Sequence, residues 1–181
     1  SGVMAAPIRA AWRSRPGWSE FGAPRPGSSW GTHQGFDYYC VEGTPIYARG
    51  PGRVAGRGFH QGGHGNYVDI AYPGSVVVRA SHMQSGSPLA YGNAVDENTV
   101  IGYVGKTGNA SGIVWYVGGQ ALRHLHAEVR VSGRLVDPLG WGISQAGSGG
   151  TTPITPEIED DMFSDADRAL LLALAKGKET R

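Results

Sequence analysis

The chain has 181 residues, a formal net charge of +1, 30 glycines, 11 prolines and one cysteine. This length suits one domain with a sizeable core and some extensions. The weak charge bias argues against a nucleic-acid partner, the single cysteine excludes an intrachain disulfide, and no apolar run approaches the about 20 residues that span a bilayer.

The elements predicted along the chain are strands separated by glycine-rich turns. The first thirty residues are predicted to be irregular because several prolines interrupt them. β-Branched and aromatic residues then predict strands at 36–40, 53–59, 66–72, 75–81, 99–105 and 125–131. The Pro-Gly pair within residues 72–75 predicts a tight hairpin, and strands joined in this way form antiparallel sheets.

The predicted fold class is therefore all-β, mainly an antiparallel sheet with glycine-rich loops, plus a short C-terminal helix. Residues 1–141 form the predicted domain, in which Cys40 is expected to be a small buried side chain. The small and polar composition of residues 142–163 predicts a flexible linker. Residues 164–177 predict a short amphipathic helix. Through its leucines, this helix is expected to dock on the domain, on a partner or on a second module.

The segment 123-RHLHAEVRV-131 has the alternation of a strand that is buried on one face. The core face is predicted to consist of Leu125, Ala127, Val129 and Val131. The opposite face is predicted to carry His124, His126, Glu128 and Arg130. Two imidazoles would then lie side by side on one surface. The same alternation places His82, at the rim of the sheet, on one face with Val76, Val78 and Ala80.

The segment 33-HQGFD-37 contains another histidine and an aspartate that could bind a metal ion together with the histidines of the 123–131 strand. Gly35 and the β-favouring residues after it predict a loop leading into a strand, so that His33 and Asp37 converge. Together with His126 they would supply the three N or O ligands of a catalytic zinc ion, leaving one coordination position open. His124 would then lie close to the site without binding the metal. In the alternative, His124 is a fourth ligand and closes a structural zinc site.

The chain resembles the lysostaphin-like (LytM-type) zinc endopeptidases of bacterial cell walls over residues 21–141. The matching segments include 21-FGAPR-25, 33-HQGFD-37, 62-GGHGNYVDI-70, 81-SHM-83, 101-IGYVGKTG-108 and 124-HLHAEVR-130. The resemblance implies that His33, Asp37 and His126 bind Zn²⁺ and that His82 and His124 assist catalysis. The implied substrate is a cross-bridge or stem peptide of bacterial peptidoglycan. The implied location is extracellular, in the cell wall or periplasm, or on a phage as a virion or lysis protein.

The sequence departs from the family's pattern in several places. About ten extra residues, 113–123, precede the His-Leu-His segment and are expected to lie beside the substrate groove. The surroundings of His82 differ by one residue. His64 replaces a common aromatic residue, and neither it nor His60 is expected to bind zinc.

Two other interpretations compete with a catalytic zinc endopeptidase. One is a non-catalytic module that binds the cell wall or activates an amidase, although relatives of that kind typically lack some of the five site residues present here. The other is a β domain with a structural zinc ion.

Overall fold

The computed structural model describes residues 4–141. The predicted linker at 142–163 and helix at 164–177 lie outside these residues and stay predictions. Within residues 4–141, two short 3₁₀ helices occur, at Gly108–Ala110 and Pro138–Trp141. The strands are β1 (Phe36–Cys40), β2 (Pro45–Tyr47), β3 (Gly52–His60), β4 (Gly65–Tyr72), β5 (Val76–Met83), β6 (Ala94–Val95), β7 (Val100–Tyr103), β8 (Trp115–Val117), β9 (Gln120–Val131) and β10 (Arg134–Val136).

The strands form one large sheet and one small sheet. The large sheet has the order β1-β9-β5-β4-β3-β6, with β8 and β10 also paired to β9, and the small sheet pairs β2 with β7. All pairings between these strands are antiparallel, which confirms the predicted fold class. The long strand β9 lies between β1 and β5, so its side chains are positioned by neighbours on both sides. None of the helices within residues 4–141 is long and apolar enough to cross a membrane.

Each of the six predicted strands is present. The segment 36–40 coincides with β1, and four others shift by no more than two residues at either end. The exception is β9, which begins at Gln120 because it continues into a hairpin with β8. The hairpin predicted at 72–75 is confirmed, since Tyr72 pairs with Val76 across a turn in which Gly74 has a φ of 84°.

The core lies on the face of the large sheet that alternation predicted for β9. Leu125, Ala127 and Val129 are no more than 1% exposed and belong to one apolar cluster. The prediction for Cys40 is also confirmed, because it lies in the same cluster and burial raises the pKa of its thiol to about 11. On the opposite face of β9, His124, His126 and Glu128 are buried as well, whereas Arg130 is partly exposed.

The prediction for the face of His82 is wrong. Val76, Val78 and Ala80 lie in the apolar core as alternation predicts. The imidazole of His82 instead packs against that of His124, with ring centroids 5.0 Å apart. His82 therefore belongs to the polar face of the sheet.

A bulge in β5 explains this reversal. The pairing of β4 with β5 shifts register between Asn66 and Val68, because Ser81 and His82 together oppose a single residue of β4. His82 adopts a left-handed conformation with a φ of 60°. An extra residue of this kind reverses the alternation, so that Met83 turns into the core and is fully buried. The one-residue difference seen in the sequence around His82 lies at this bulge.

Candidate metal centre

A cleft of about 270 Å³ lies over the polar face of β9. Three elements deliver the central side chains, since His126 lies on β9, Asp37 faces it directly from β1, and His33 comes from the loop before β1. The residues that form the floor are His33, Asp37, His82, His124, His126 and Glu128.

The structure brings the three predicted ligands together. His33 Nε2 lies 3.1 Å from Asp37 Oδ1 and 3.0 Å from His126 Nδ1. His126 Nδ1 lies 2.9 Å from the same carboxylate oxygen. Ligands placed about 2.0–2.1 Å from a tetrahedral zinc ion are separated by about 3.3 Å. The three atoms are therefore spaced nearly as one face of such a coordination shell.

The second nitrogen of each ligand imidazole is held by an acceptor of the protein. His33 Nδ1 donates to the backbone carbonyl of Glu20 at 3.0 Å. His126 Nε2 donates to the carboxylate of Glu128 at 3.1 Å. These bonds direct the remaining nitrogens, Nε2 of His33 and Nδ1 of His126, toward Asp37. Fixing the tautomer in this way is the usual support for a metal-binding histidine, so the donor set fits a zinc ion.

The charges around the ligands also suit a cation. Burial alone would raise the pKa of Asp37, but His124, His126 and His33 hold it far below its usual range. Burial would lower the pKa of His126, but hydrogen bonds to Asp37 and Glu128 raise it to about 9. The metal-free site therefore holds a proton on His126 between two carboxylates, where a metal ion would supply the positive charge instead.

Two other histidines face the cleft as neutral bases. Burial, with His124 and His126 nearby, lowers the pKa of His82 to about 3. Burial likewise lowers the pKa of His124 to about 4, although Asp37 opposes the shift. His82 Nδ1 donates to the carbonyl of Thr107 at 2.9 Å, which leaves its Nε2 as the acceptor.

His124 lies next to the ligands without joining them. Its Nε2 is 3.9 Å from Asp37 Oδ1. Within the described residues, two groups have donor atoms that all lie within 4.8 Å of one another, and neither includes His124. The group at Asp37 consists of His33, Asp37 and His126. This spacing favours three protein ligands over the closed four-ligand alternative.

Two glycines allow the close approaches on which the cleft depends. A Cβ on Gly35 would lie 2.3 Å from the carbonyl oxygen of Ala127 and 2.8 Å from the ring of His126, so only glycine lets the His33 loop reach β9. A Cβ on Gly65, which has a φ of 60°, would lie 2.3 Å from Thr107. The second contact places the Thr107 carbonyl against His82.

Glu128 is a site residue to which the sequence analysis assigned no role. Burial would raise the pKa of this carboxyl, but the hydrogen bond and charge of His126 lower it to about 2, so it stays ionised. The signal was present in the sequence, because Glu128 follows His126 by two positions and so shares its strand face.

A Glu128→Gln variant is expected to bind zinc about 10- to 100-fold more weakly, because the amide is a poorer acceptor for His126. Turnover at saturating zinc should stay near the wild-type value. Competition against a fluorescent chelator measures the affinity, and Glu97→Gln, outside the cleft, is the matched control. Unchanged affinity in Glu128→Gln would show that the carboxylate does not support the ligand.

His64 lies at the wall of the cleft, behind the ligands. Its Nδ1 is 2.8 Å from Ser81 Oγ, and its Nε2 is 3.9 Å from Glu128 Oε1. His64, His126 and Glu128 form a second group with convergent donor atoms. Because Glu128 already accepts the proton of His126, we interpret this group as a support for the first. That His64 and His60 do not bind zinc stays a prediction.

The extra segment 113–123 lies beside the cleft, as predicted, and reaches it through Ile113. Trp115–Val117 pairs with β9 through a turn at Gly118 and Gly119, both of which have positive φ. Trp115 packs edge-on against Tyr39, whose ring lies 5.1 Å from that of His124. The hairpin thus supports one of the two neutral histidines.

The sheet, the His-Asp-His group and the two neighbouring histidines are the features of a lysostaphin-like peptidase. The chain belongs to peptidase family M23, whose sequence pattern matches residues 31–138. The family assigns it to the peptidases.

Relatives and solved structures agree with the family. The chain is 36% identical over 145 residues to the DD-carboxypeptidase/endopeptidase Mpg of Neisseria meningitidis, covering 80% of this chain and 27% of that protein. A zinc-containing peptidase from Vibrio cholerae has a TM-score of 0.60 at 26% identity, covering 80% of this chain and 40% of that one. The catalytic domain of the prophage-encoded M23 protein EnpA from Enterococcus faecalis, crystallised as a point mutant, has a TM-score of 0.60 at 27% identity, covering 78% and 99%. The chain thus spans only about a quarter of the length of the meningococcal protein.

Proposed function

We propose that this protein is a zinc-dependent endopeptidase that hydrolyses peptide bonds in the cross-bridges or stem peptides of bacterial peptidoglycan. The observation that carries the proposal is the triangle of His33, Asp37 and His126 donor atoms, 2.9–3.1 Å apart, beside two neutral histidines. The name of the meningococcal relative, a DD-carboxypeptidase/endopeptidase, supports the choice of substrate.

In this proposal His33, Asp37 and His126 hold the zinc ion. When bound, zinc supplies Lewis acidity, which polarises a scissile carbonyl and makes water a nucleophile near neutral pH. The protein's own contribution is orientation, because Glu20 and Glu128 fix the two imidazoles and the pairing of β1 with β9 fixes the carboxylate.

His82 and His124 divide the proton transfers between them. Both are neutral at pH 7, so either can accept a proton from the attacking water. The other histidine, after taking up a proton, then donates a hydrogen bond to the carbonyl oxygen or protonates the leaving amine. The Thr107 carbonyl orients His82, and the Tyr39 ring packs against His124.

The structure favours this proposal over the two competing interpretations. A non-catalytic wall-binding or amidase-activating module does not need His82 and His124 held as neutral bases beside the ligands. A structural zinc site needs a fourth protein ligand, whereas His124 lies outside the convergent group in the described residues.

Digestion of purified peptidoglycans that differ in cross-bridge chemistry tests the proposal. Zinc-loaded protein is expected to release new amino groups, and mass spectrometry of the products identifies the bond. Chelation followed by zinc repletion should abolish and restore the release. Equal release after exhaustive metal removal, or none with zinc bound, would overturn the proposal.

Zinc binding is expected to displace about one proton per ion at pH 7.5. His126 carries that proton in the metal-free protein because its pKa is raised to about 9, whereas Asp37 is already ionised. A raised pKa means that protons compete with zinc below pH 9, so affinity should weaken about tenfold per unit as the pH falls. Calorimetry in buffers of different ionisation enthalpy measures the protons released, and a heat independent of the buffer would contradict the expectation.

The site of action follows from the substrate. Because peptidoglycan lies outside the cytoplasmic membrane, we propose an extracellular, cell-wall or periplasmic location, or a phage-borne virion or lysis protein. The predicted helix at 164–177 is proposed to dock on the domain, a partner or a second module.

A further inference from the structure

Arg25 is the only cationic side chain, apart from the histidines, that lines the cleft in residues 4–141. It comes from the irregular segment before the His33 loop, and its side chain is 13% exposed. Neither the ligand set nor the proton transfers require this guanidinium. Its place in the cleft wall therefore needs an explanation of its own.

Contacts with the preceding segment hold the Arg25 guanidinium in place. It lies 4.3 Å above the ring of Trp18. Nη2 donates to the backbone carbonyl of Trp18, and Nη1 donates to that of Pro24 at 3.4 Å. Two carbonyls engage two of the five N–H donors of a guanidinium. The group is thus fixed in position and keeps donors for a ligand.

Arg25 also lies next to the ligand group. Its Nη2 is 3.7 Å from Asp37 Oδ2, the carboxylate oxygen that faces away from the two imidazoles. This distance is about the span of one residue, since consecutive Cα atoms are about 3.8 Å apart. If the scissile peptide bond lies at His33, Asp37 and His126, a group on the residue next to that bond is therefore within reach of Arg25.

The charges favour an anionic group at that position. Two carboxylates lie near Arg25, those of Asp37 and Glu20, and a bound divalent cation would share the first of them. Glu128 is occupied by His126 and Arg130. Once the cation is bound, four positive charges meet here, two on the cation and one each on Arg25 and Arg130. The carboxylates of Asp37, Glu20 and Glu128 offset three of them, so one positive charge is left over. A carboxylate ligand matches the planar fork of a guanidinium.

We propose that Arg25 binds the free α-carboxylate of the residue that directly follows the scissile bond. The inference rests on the proposed peptidase function and narrows its substrate class. The protein would prefer peptides in which the α-carboxylate of that residue is free. The residue is then either the C-terminal residue of the peptide or a residue that joins two peptides through its amine and keeps its own carboxylate free. Neutral bridges that continue past the cleaved bond would be poorer substrates.

Two peptides that differ only in this group test the proposal. Both carry D-residues on the two sides of the scissile bond, and the second residue ends in a free carboxylate in one peptide and a carboxamide in the other. Wild-type protein is expected to favour the acid by about 10- to 100-fold in kcat/KM, mainly through KM, as a charge-assisted contact would give. In Arg25→Gln the acid should fall to the level of the amide, and Arg25→Lys should recover part of the preference.

Controls separate this role from simple support of Asp37. Arg134→Gln removes the same charge at an exposed position of β10 and should keep the wild-type preference. Zinc content is measured for every variant. If Arg25→Gln loses zinc, or both peptides slow equally, Arg25 only positions Asp37 and the proposal is overturned. An unchanged preference in Arg25→Gln also overturns it.

Failure of the proposed function would look different. Wild-type protein with zinc bound would then cleave neither peptide. Calorimetric binding of the same two peptides to zinc-loaded protein still tests Arg25 in that case. Tighter binding of the acid in wild type, lost in Arg25→Gln, would support the carboxylate site, and equal binding of acid and amide would overturn it.

Discussion

Asp37→Ala protein is expected to fold but to contain almost no zinc and to show no peptidase activity. Asp37 supplies the only carboxylate in the ligand group, and its Oδ1 lies within 3.1 Å of both ligand nitrogens. Without it, two imidazoles remain, fewer than the three protein ligands of a catalytic zinc site. His33→Ala should behave in the same way, because it also leaves two ligands.

Metal analysis of the purified protein, together with peptidoglycan digestion, measures both effects. Wild type should contain about one zinc ion per chain. Asp137→Ala, which removes an exposed carboxylate, is the matched control and should keep both zinc and activity. Circular dichroism distinguishes loss of the site from loss of the fold. Retention of zinc by folded Asp37→Ala would break the ligand assignment.

His82→Ala and His124→Ala are expected to keep zinc but to lose turnover by about 10²- to 10⁴-fold, the usual cost of removing an acid–base group. Both side chains face the cleft as neutral imidazoles, and neither belongs to the convergent ligand group in the described residues. The loss should therefore appear in kcat, whereas metal content stays near that of wild type.

His60→Ala is the control for this pair, because His60 is an exposed histidine at the end of β3. It should resemble wild type in zinc content and in rate. Loss of zinc from His124→Ala would instead support the closed four-ligand interpretation. Full activity in either variant would remove that residue from the mechanism.

Local patterns in the sequence predicted the longer strands well. β1, β4 and β9 carry runs of β-favouring residues, and alternation is visible in β9. The missed strands, β2, β6, β8 and β10, have two or three residues each. Such short segments show no periodicity, and they become strands because a partner strand lies beside them.

Some residues of the site could be predicted from the sequence, and others could not. The proposed ligands and assisting histidines could be named because they lie in recognisable motifs and strand alternation groups two of them. Glu128 lay on the predicted face but gained a role only from its distance to His126. Arg25 belongs to a motif without regular structure, so no periodicity could indicate its contact with Asp37.

The sequence by itself determined the antiparallel β class, the buried face of β9 and the residues able to bind a metal, because these depend on side-chain type and on a two-residue period. Only the tertiary structure decided how those residues meet. The pairing of β1 with β9 sets Asp37 opposite His126, and the bulge in β5 turns His82 from the core to the cleft. Pairing register and bulges depend on contacts between segments far apart in the chain, which no local pattern specifies.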